Sequence, residues 1–555
     1  MNLPNRTQLA SGALALALTV GTLGCVMREQ TRLVDTAKQS KAHRVTTADL
    51  APPQNKFGFR EALAPGPFTP AEPEAAAAPA YSIPGDYVGP QEDRERYDGQ
   101  EVSPIRIAAK DPVSTFSIDV DTGAYANSRR FVRMGQLPPK EAVRTEELIN
   151  YFRYDYPLPG DRSQPFSVTT DLAASPRNPE TRLLRIGLRG YDLAAAARPA
   201  ANLVFLVDVS GSMDEPDKLP LVKATLNTLA EQLGPRDRVS IVVYAGAAGV
   251  VLEPTASKAA VRTALDRLQA GGSTAGGEGI DLAYAMARKS FIRGGVNRVI
   301  LATDGDFNVG ITDAKALIGK IERERDSGVT LTTLGFGDGN YNEAMMEQIA
   351  DHGNGNYAYI DSAMEARKVL AEEMSSTLFT IAKDVKIQVE FNPAVIAQYR
   401  LIGYENRALR EEDFDNDLVD AGEIGAGHQV TALFEVVPVG AKGWVGPHRY
   451  GTPAAKAQGG GELAFVKLRY KLPQGGASRL IERPVAAAGL AAAPPPRGDM
   501  AFAVAVAAYG QKLRGDPLLG KFGWNRVAAL AGPQQAPWRR EFLELVGLAG
   551  SLQAG

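Results

Sequence analysis

The sequence predicts an α/β fold: a doubly wound, mostly parallel sheet, inserted in or flanked by an antiparallel β-sandwich, with helical N- and C-terminal segments. Three patterns along the 555 residues point there. Between residues 200 and 380, short apolar runs alternate with amphipathic stretches of helical period, as a parallel sheet covered by helices on both faces requires. Before residue 190 and after residue 383 the apolar period falls to two, which suits antiparallel strands. From Met500 onward the helical period returns.

Near the start of the chain, Arg6 precedes an apolar run from Leu9 to Gly24, and then Cys25. That order of charged, apolar and small residues is the shape of a secretory signal. Cys25 is the single cysteine, so no internal disulfide can form and the fold stands on packing. Gly24-Cys25 resembles the lipobox of bacterial lipoproteins, with Thr22 standing where that family usually has Leu. The resemblance implies a lipoprotein signal peptide over 1–25, cleaved before Cys25, and lipidation of Cys25. An ordinary secretory signal or an uncleaved anchor is the alternative. Each buried CH₂ of an acyl chain contributes ~0.8 kcal/mol, so several chains on one residue make a firm anchor. Residues 26–97 are polar and then Pro/Ala-rich, without the periodic apolar residues that offset ordering entropy, and read as a disordered tether. No later run is long and apolar enough to span a bilayer; Phe502 to Tyr509 is far too short.

Residues 98–195 read as an α+β region. The segment "STFSIDV" predicts a strand, and Ala124–Gln136 and Lys140–Phe152 predict helices separated by Leu137-Pro138-Pro139. Strands follow at Phe166–Leu172 and Leu183–Leu188. In the second, Leu184, Ile186 and Leu188 alternate with Arg185 and Gly187, the pattern of a half-buried strand.

Residues 200–380 form the predicted α/β domain. Leu203–Val207 is a continuous apolar run, expected of a strand covered on both faces. The helix Leu219–Leu233 places Leu219, Val222, Leu226, Leu229 and Leu233 on one face. Further strands are predicted at Arg238–Tyr244, Gly249–Leu252, Arg298–Ala302, Thr330–Phe336 and Asn356–Ile360. Helices are predicted at Lys258–Gln269, Gly279–Phe291, Asp313–Asp326 and Asn342–Asp351. In residues 383–490, Val385, Ile387, Val389 and Phe391 alternate with polar neighbours, as do Ala464, Val466, Leu468, Tyr470 and Leu472; Val430–Val437 adds a third strand. Two strands alone are marginal, so those before 190 and after 383 are expected to share one sandwich around the inserted domain. Residues 498–553 form the helical C-terminal region.

An open parallel sheet presents its ligand site at the carboxyl ends of its strands. There the first strand runs into "FLVDVSGSMDEP", with Asp208, Ser210 and Ser212 in a DxSxS pattern and Gly211 allowing a tight turn. The loop "GGSTAGGEG" presents Thr274, and the strand ending at Ala302 leads to Thr303-Asp304-Gly305. All are hard oxygen donors, suited to Mg²⁺ over soft-ligand metals. Asp214, Glu215 and Asp217 read as a solvated loop and helix start.

Together, Asp208-x-Ser210-x-Ser212, Thr274 in a Gly-rich loop and Asp304 in "TDG" resemble the metal-ion-dependent adhesion site (MIDAS) of von Willebrand factor type A domains, over residues 200–380. The resemblance implies that Ser210, Ser212 and, with ligand bound, Thr274 contact the metal directly, while Asp208 and Asp304 act largely through water. It implies Mg²⁺, with Mn²⁺ or Ca²⁺ possible, and a protein partner offering Asp or Glu to the metal. "DPVSTFSIDVDTGAYANSRRF" and "LPPKEAVRTEELINYFRYDYP" resemble the N-terminal segment of a bacterial subfamily of envelope lipoproteins. That places the folded part in the periplasm or at the cell surface. The expected function is thus that of an envelope-anchored binding protein and not an enzyme.

A formal net charge of -3 leaves no electrostatic footprint for nucleic acid, and four His argue against a His-rich zinc site. Two other readings stand beside binding. In one, the metal only stabilises an envelope-assembly protein. In the other, Asp119-Val120-Asp121-Thr122 is the DxDxT of a Mg²⁺-dependent phosphatase, although the α/β alternation which that fold needs does not follow it. Asp119 or Asp121 could also cap the metal internally. A chelatase-type subunit working with an ATP-driven partner is disfavoured by the signal sequence.

Overall fold

The computed structural model describes residues 95–272, 276–305, 314–339, 341–446 and 461–554. The expected signal sequence, Cys25, most of the tether and Thr274 lie outside them.

At the centre of the α/β domain is a six-stranded sheet in the order Tyr357–Tyr359, Thr330–Gly335, Val296–Thr303, Ala201–Asp208, Arg238–Tyr244, Ala248–Thr255. All neighbours are parallel except the last pair. Every residue of Ala201–Asp208 is buried, because helices cover both sides. Leu203, Phe205 and Val207 face the helix Leu219–Gln232 through Leu219, Val222, Leu226 and Leu229. Val204 and Leu206 face Ile280, Ala283 and Ala287 of the helix Gly276–Lys289. The period-two alternation within one apolar strand thus sorts two separate cores.

The chain enters and leaves this domain through a β-sandwich. One sheet runs Arg106–Ile107, Ile396–Ile402, Gln429–Pro438, Arg182–Gly190, Phe166–Ala174; the other runs Ala408–Leu409, Val113–Ser117, Thr380–Phe391, Glu462–Lys471, Arg479–Ala486. Each sheet mixes strands from before residue 190 with strands from after 380, as expected. The sheets meet through Phe116, Phe391, Tyr399 and Phe434; Phe391 and Tyr399 stack with centroids 4.2 Å apart. The helices Gly498–Arg514, Trp524–Ala531 and Pro537–Ala554 pack with Leu148, Ile149 and Phe152 against Leu183, Ile402 and Leu433. No helix among the described residues is long and apolar enough to cross a membrane.

Four expectations need correcting. The predicted helix Lys140–Phe152 is a short 3₁₀ turn, Lys140–Ala142, and a helix Thr145–Asn150, because Val143 and Arg144 are extended. That extension turns the buried Arg144 onto Glu147 and Glu347. The strand in "STFSIDV" stops at Ser117. Arg182–Gly190 is buried on both faces: Arg185 pairs with Asp171 at 2.6 Å and lies over the Tyr156 ring. In Thr380–Phe391, Lys386 and Gln388 are buried as well as the apolar face; the Lys386 ammonium donates to the Asp413 carbonyl at 3.1 Å.

Candidate metal centre

The two central strands pair in parallel, Val207 beside Ala302, and end together. Asp208 is the last residue of one, and Asp304 follows the last residue of the other. From Ala201–Asp208 the chain passes to a neighbour on one side, and Val296–Thr303 lies on the other. This is the switch point, where diverging loops leave a crevice.

Each side chain is placed by a local device. Asp208 Oδ1 accepts the Ser210 N–H at 2.9 Å, which closes the tight turn of the DxSxS segment. Asp208 Oδ2 accepts the Thr303 hydroxyl at 3.0 Å and the Tyr244 hydroxyl at 3.1 Å. The turn brings the Ser210 and Ser212 hydroxyls to 3.1 Å from each other. Ser210 is buried and Ser212 half-buried, while Asp214, Glu215 and Asp217 are exposed, as expected. Gly305 has φ +88, and a Cβ there would come within 2.6 Å of the Asn342 nitrogen. That close approach is open only to glycine. The glycine-rich loop is pinned to the DxSxS segment by Gly271 N–H to the Val209 carbonyl, 2.8 Å, and Gly211 N–H to the Gly272 carbonyl, 3.0 Å. Thr274 follows this anchored stretch.

Asp208 and Asp304 are both fully buried. Burial, with the Asp304 charge adding to it, pushes the Asp208 carboxyl from 3.8 up to about 6, against the pull of hydrogen bonds from Ser210 and Thr303. Lys218, also buried, puts its ammonium 3.2 Å from Asp304 Oδ2. The described donors, two hydroxyls and two carboxylates converging at one sheet edge, are the hard-oxygen set that a small divalent cation takes. They fit such an ion.

Sequence reasoning missed three members of the site. Tyr244 ends a predicted strand and Thr303 extends by one residue the strand expected to stop at Ala302, yet only pairing register brings them to Asp208. Lys218 sits in what reads as a solvated loop, and no linear signal marks it.

Asp119 and Asp121 belong elsewhere. Asp121 accepts the Tyr357 N–H at 2.8 Å, and both carboxylates pair with Arg407, at 3.3 and 3.1 Å. Arg407 also meets Glu347 at 3.3 Å and Asp351 at 2.6 Å. Both aspartates are buried within this ion-pair network, so neither is presented as an open nucleophile or as a cap on the metal centre. Here the N-terminal segment, the α/β domain and the sandwich meet. Burial pushes Glu343 up to about 8 and Glu146 up to about 7, from an ordinary 4.5. Neighbouring acids reinforce burial in both cases, and Arg144 opposes it at Glu343. A raised acid favours the folded state most below its ordinary pKa and loses that contribution as pH climbs through the folded value. Thermal midpoints should therefore fall from about pH 4.5 to about pH 8, and Glu343→Gln should remove part of that fall. The same pH dependence of the midpoint in wild type and Glu343→Gln would refute the assignment. A third gathering, Asp384, Asp420 and Glu423, holds carboxylate oxygens within 4.8 Å of one another, with Lys471 on Asp384 and Arg325 on Asp420.

Comparison with known sequences fits this layout. The von Willebrand factor type A domain model matches residues 202–373, and a model described as von Willebrand factor matches 91–185. A model described as the C-terminal part of uncharacterized protein YfbK matches 376–552. The Escherichia coli K12 protein YfbK, described as uncharacterized, is 47% identical over 468 residues, covering 82% of this chain and 81% of its own. The chain belongs to the YfbK family. Among solved structures, a von Willebrand factor type A protein from Catenulispora acidiphila is 19% identical, covering 68% of this chain and 88% of its own, with a TM-score of 0.38. Proximal thread matrix protein 1 from the mussel byssus, described with a zinc-occupied MIDAS motif, is 23% identical over 34% of this chain and 46% of its own, at a TM-score of 0.27. The model match over 202–373 gives this chain a von Willebrand factor type A domain, a class that generally binds divalent metal and other proteins.

Proposed function

We infer that this protein is an envelope-anchored binding protein that holds Mg²⁺ at Asp208, Ser210, Ser212, Thr274 and Asp304 and through it engages an acidic residue of a protein partner. One observation carries the reading. The Ser210 and Ser212 hydroxyls sit 3.1 Å apart just past the end of one central strand, with Asp208 and Asp304 buried at the ends of the two central strands. Mg²⁺ prefers six oxygen ligands, and a site with few direct carboxylates leaves it electrophilic toward an added acidic oxygen. Mn²⁺ would suit the same donors; Ca²⁺ usually takes more direct carboxylates. Two carboxylates just compensate such an ion and leave it open to an added acidic oxygen, which is a binding chemistry.

Cys25, after its apolar run, supports a lipid anchor that would keep the folded part at the membrane on a long tether. Affinity capture from solubilised envelope, with and without chelator, tests the reading. A defined protein partner should be retained with Mg²⁺ and released by chelation, and Cys25→Ser should move the chain from the membrane to the soluble fraction. A partner retained equally in chelator would sink the metal-bridged mechanism and leave the structural role, in which the ion serves only folding.

A further inference from the structure

A buried lysine at a proposed cation site calls for a physical account. Lys218 is 6% exposed and immediately precedes the helix Leu219–Gln232. Its ammonium lies 3.2 Å from Asp304 Oδ2. The stem is held as well: a Cβ at Gly337, where φ is +69, would come within 2.4 Å of Lys218 Cε. The lysine is thus packed down to its charged end, and that end faces one of the two carboxylates expected to hold the ion.

We propose that Lys218 couples the two ligands of this site, so that the divalent ion is held weakly alone and more tightly once an acidic group joins it. The inference rests on the metal-site reading above. Two carboxylates balance a divalent ion. Counting the described side chains, the Lys218 ammonium beside Asp304 leaves the ion-filled site with one surplus positive charge. An incoming carboxylate cancels that surplus. Without Lys218 the ion-filled site is already neutral, and the carboxylate adds little. The ammonium therefore acts as a like charge against the ion alone and as a favourable charge toward the acidic ligand. It is a positioning and specificity residue: it favours a filled site with an anion in it over one without. Arginine would keep the charge but spread it over a planar fork, so it should preserve the coupling in part.

Titration of the full chain in detergent with Mn²⁺, following the free-ion electron paramagnetic resonance signal with and without acetate, tests this. In the wild type, acetate should strengthen Mn²⁺ binding. Lys218→Met should bind Mn²⁺ alone about tenfold or more tightly, the scale expected when a like charge within a few ångströms is removed from a partly buried site. Acetate should then add little, and Lys218→Arg should restore part of the dependence. Should Lys218→Met fold poorly, Lys218→Gln, neutral and shorter, carries the same expectation. Mn²⁺ binding unchanged or weaker in the folded neutral variants, or acetate coupling equal to wild type, would overturn the proposal. Asp208→Asn separates the two levels. If it binds Mn²⁺ as well as wild type, the metal-site reading itself fails; if it loses Mn²⁺ while Lys218→Met matches wild type, only the role of Lys218 fails.

Discussion

Arg407→Met is expected to lower the stability of the folded chain by about 3–5 kcal/mol, seen as a large drop in the denaturant midpoint. Arg407 is the counter-charge for Asp119, Asp121, Glu347 and Asp351, and its side chain is only 11% exposed. Methionine replaces most of the stem but leaves the buried carboxylates facing one another. Those acids come from the N-terminal segment and from the α/β domain, while Arg407 comes from the sandwich, so the loss should loosen the joint between all three. Arg262→Met is the control. Its ion pair with Glu231 is exposed on both sides, and its removal should cost no more than about 0–1 kcal/mol. A midpoint in Arg407→Met as small in its shift as the control's would show that the buried acids are neutral and need no partner.

The second large effect is expected at the metal centre. Ser210→Ala with Ser212→Ala should reduce Mn²⁺ or Mg²⁺ affinity at least about 100-fold, above the 10–100-fold typical for loss of an outer-shell partner, with a nearly unchanged thermal transition. These hydroxyls meet each other and the Asp208 carboxyl, and neither takes part in strand pairing, so the scaffold should survive their removal. Asp208→Ala is the poorer test, because it strips the acceptor from Thr303, Tyr244 and the Ser210 N–H and would unsettle the fold itself. Calorimetry with the ion, followed by partner capture, reads both consequences. Loss of folding with no change in ion affinity would favour the structural role.

What could be read from the sequence was whatever sits in a short stretch of chain. The DxSxS segment and "TDG" are linear patterns, and apolar runs or alternation marked Ala201–Asp208, Val296–Thr303 and Glu462–Lys471 within a residue or two. What stayed hidden depends on partners far along the chain. Lys218 meets Asp304 across 86 positions, and Arg407 meets Asp119 across 288. The strand Ile396–Ile402 was obscured by Arg400, a fully buried charge whose partners Glu435 and Asp516 come from elsewhere. Arg479–Ala486 was hidden by Pro484, which a strand tolerates at a sheet edge, and this strand is the edge. The helix expected over Lys140–Phe152 was interrupted for the same kind of reason: Arg144 leaves helical geometry to reach acids that no local pattern reveals.

The insertion of the α/β domain has a consequence for the order in which the chain folds as it emerges, N-terminus first. The hairpin Phe166–Ala174 and Arg182–Gly190 finds its next neighbour in the sheet only at Gln429–Pro438. About 240 residues separate them, and all must emerge before the pairing can form. During that interval the nascent hairpin carries an open edge, a template for unwanted pairing. The inserted domain, whose strands all lie between Ala201 and Tyr359, can meanwhile complete its own sheet. The metal centre would then take shape before the scaffold that holds it, and the last helices to emerge would close the molecule over the exposed face of the hairpin's sheet.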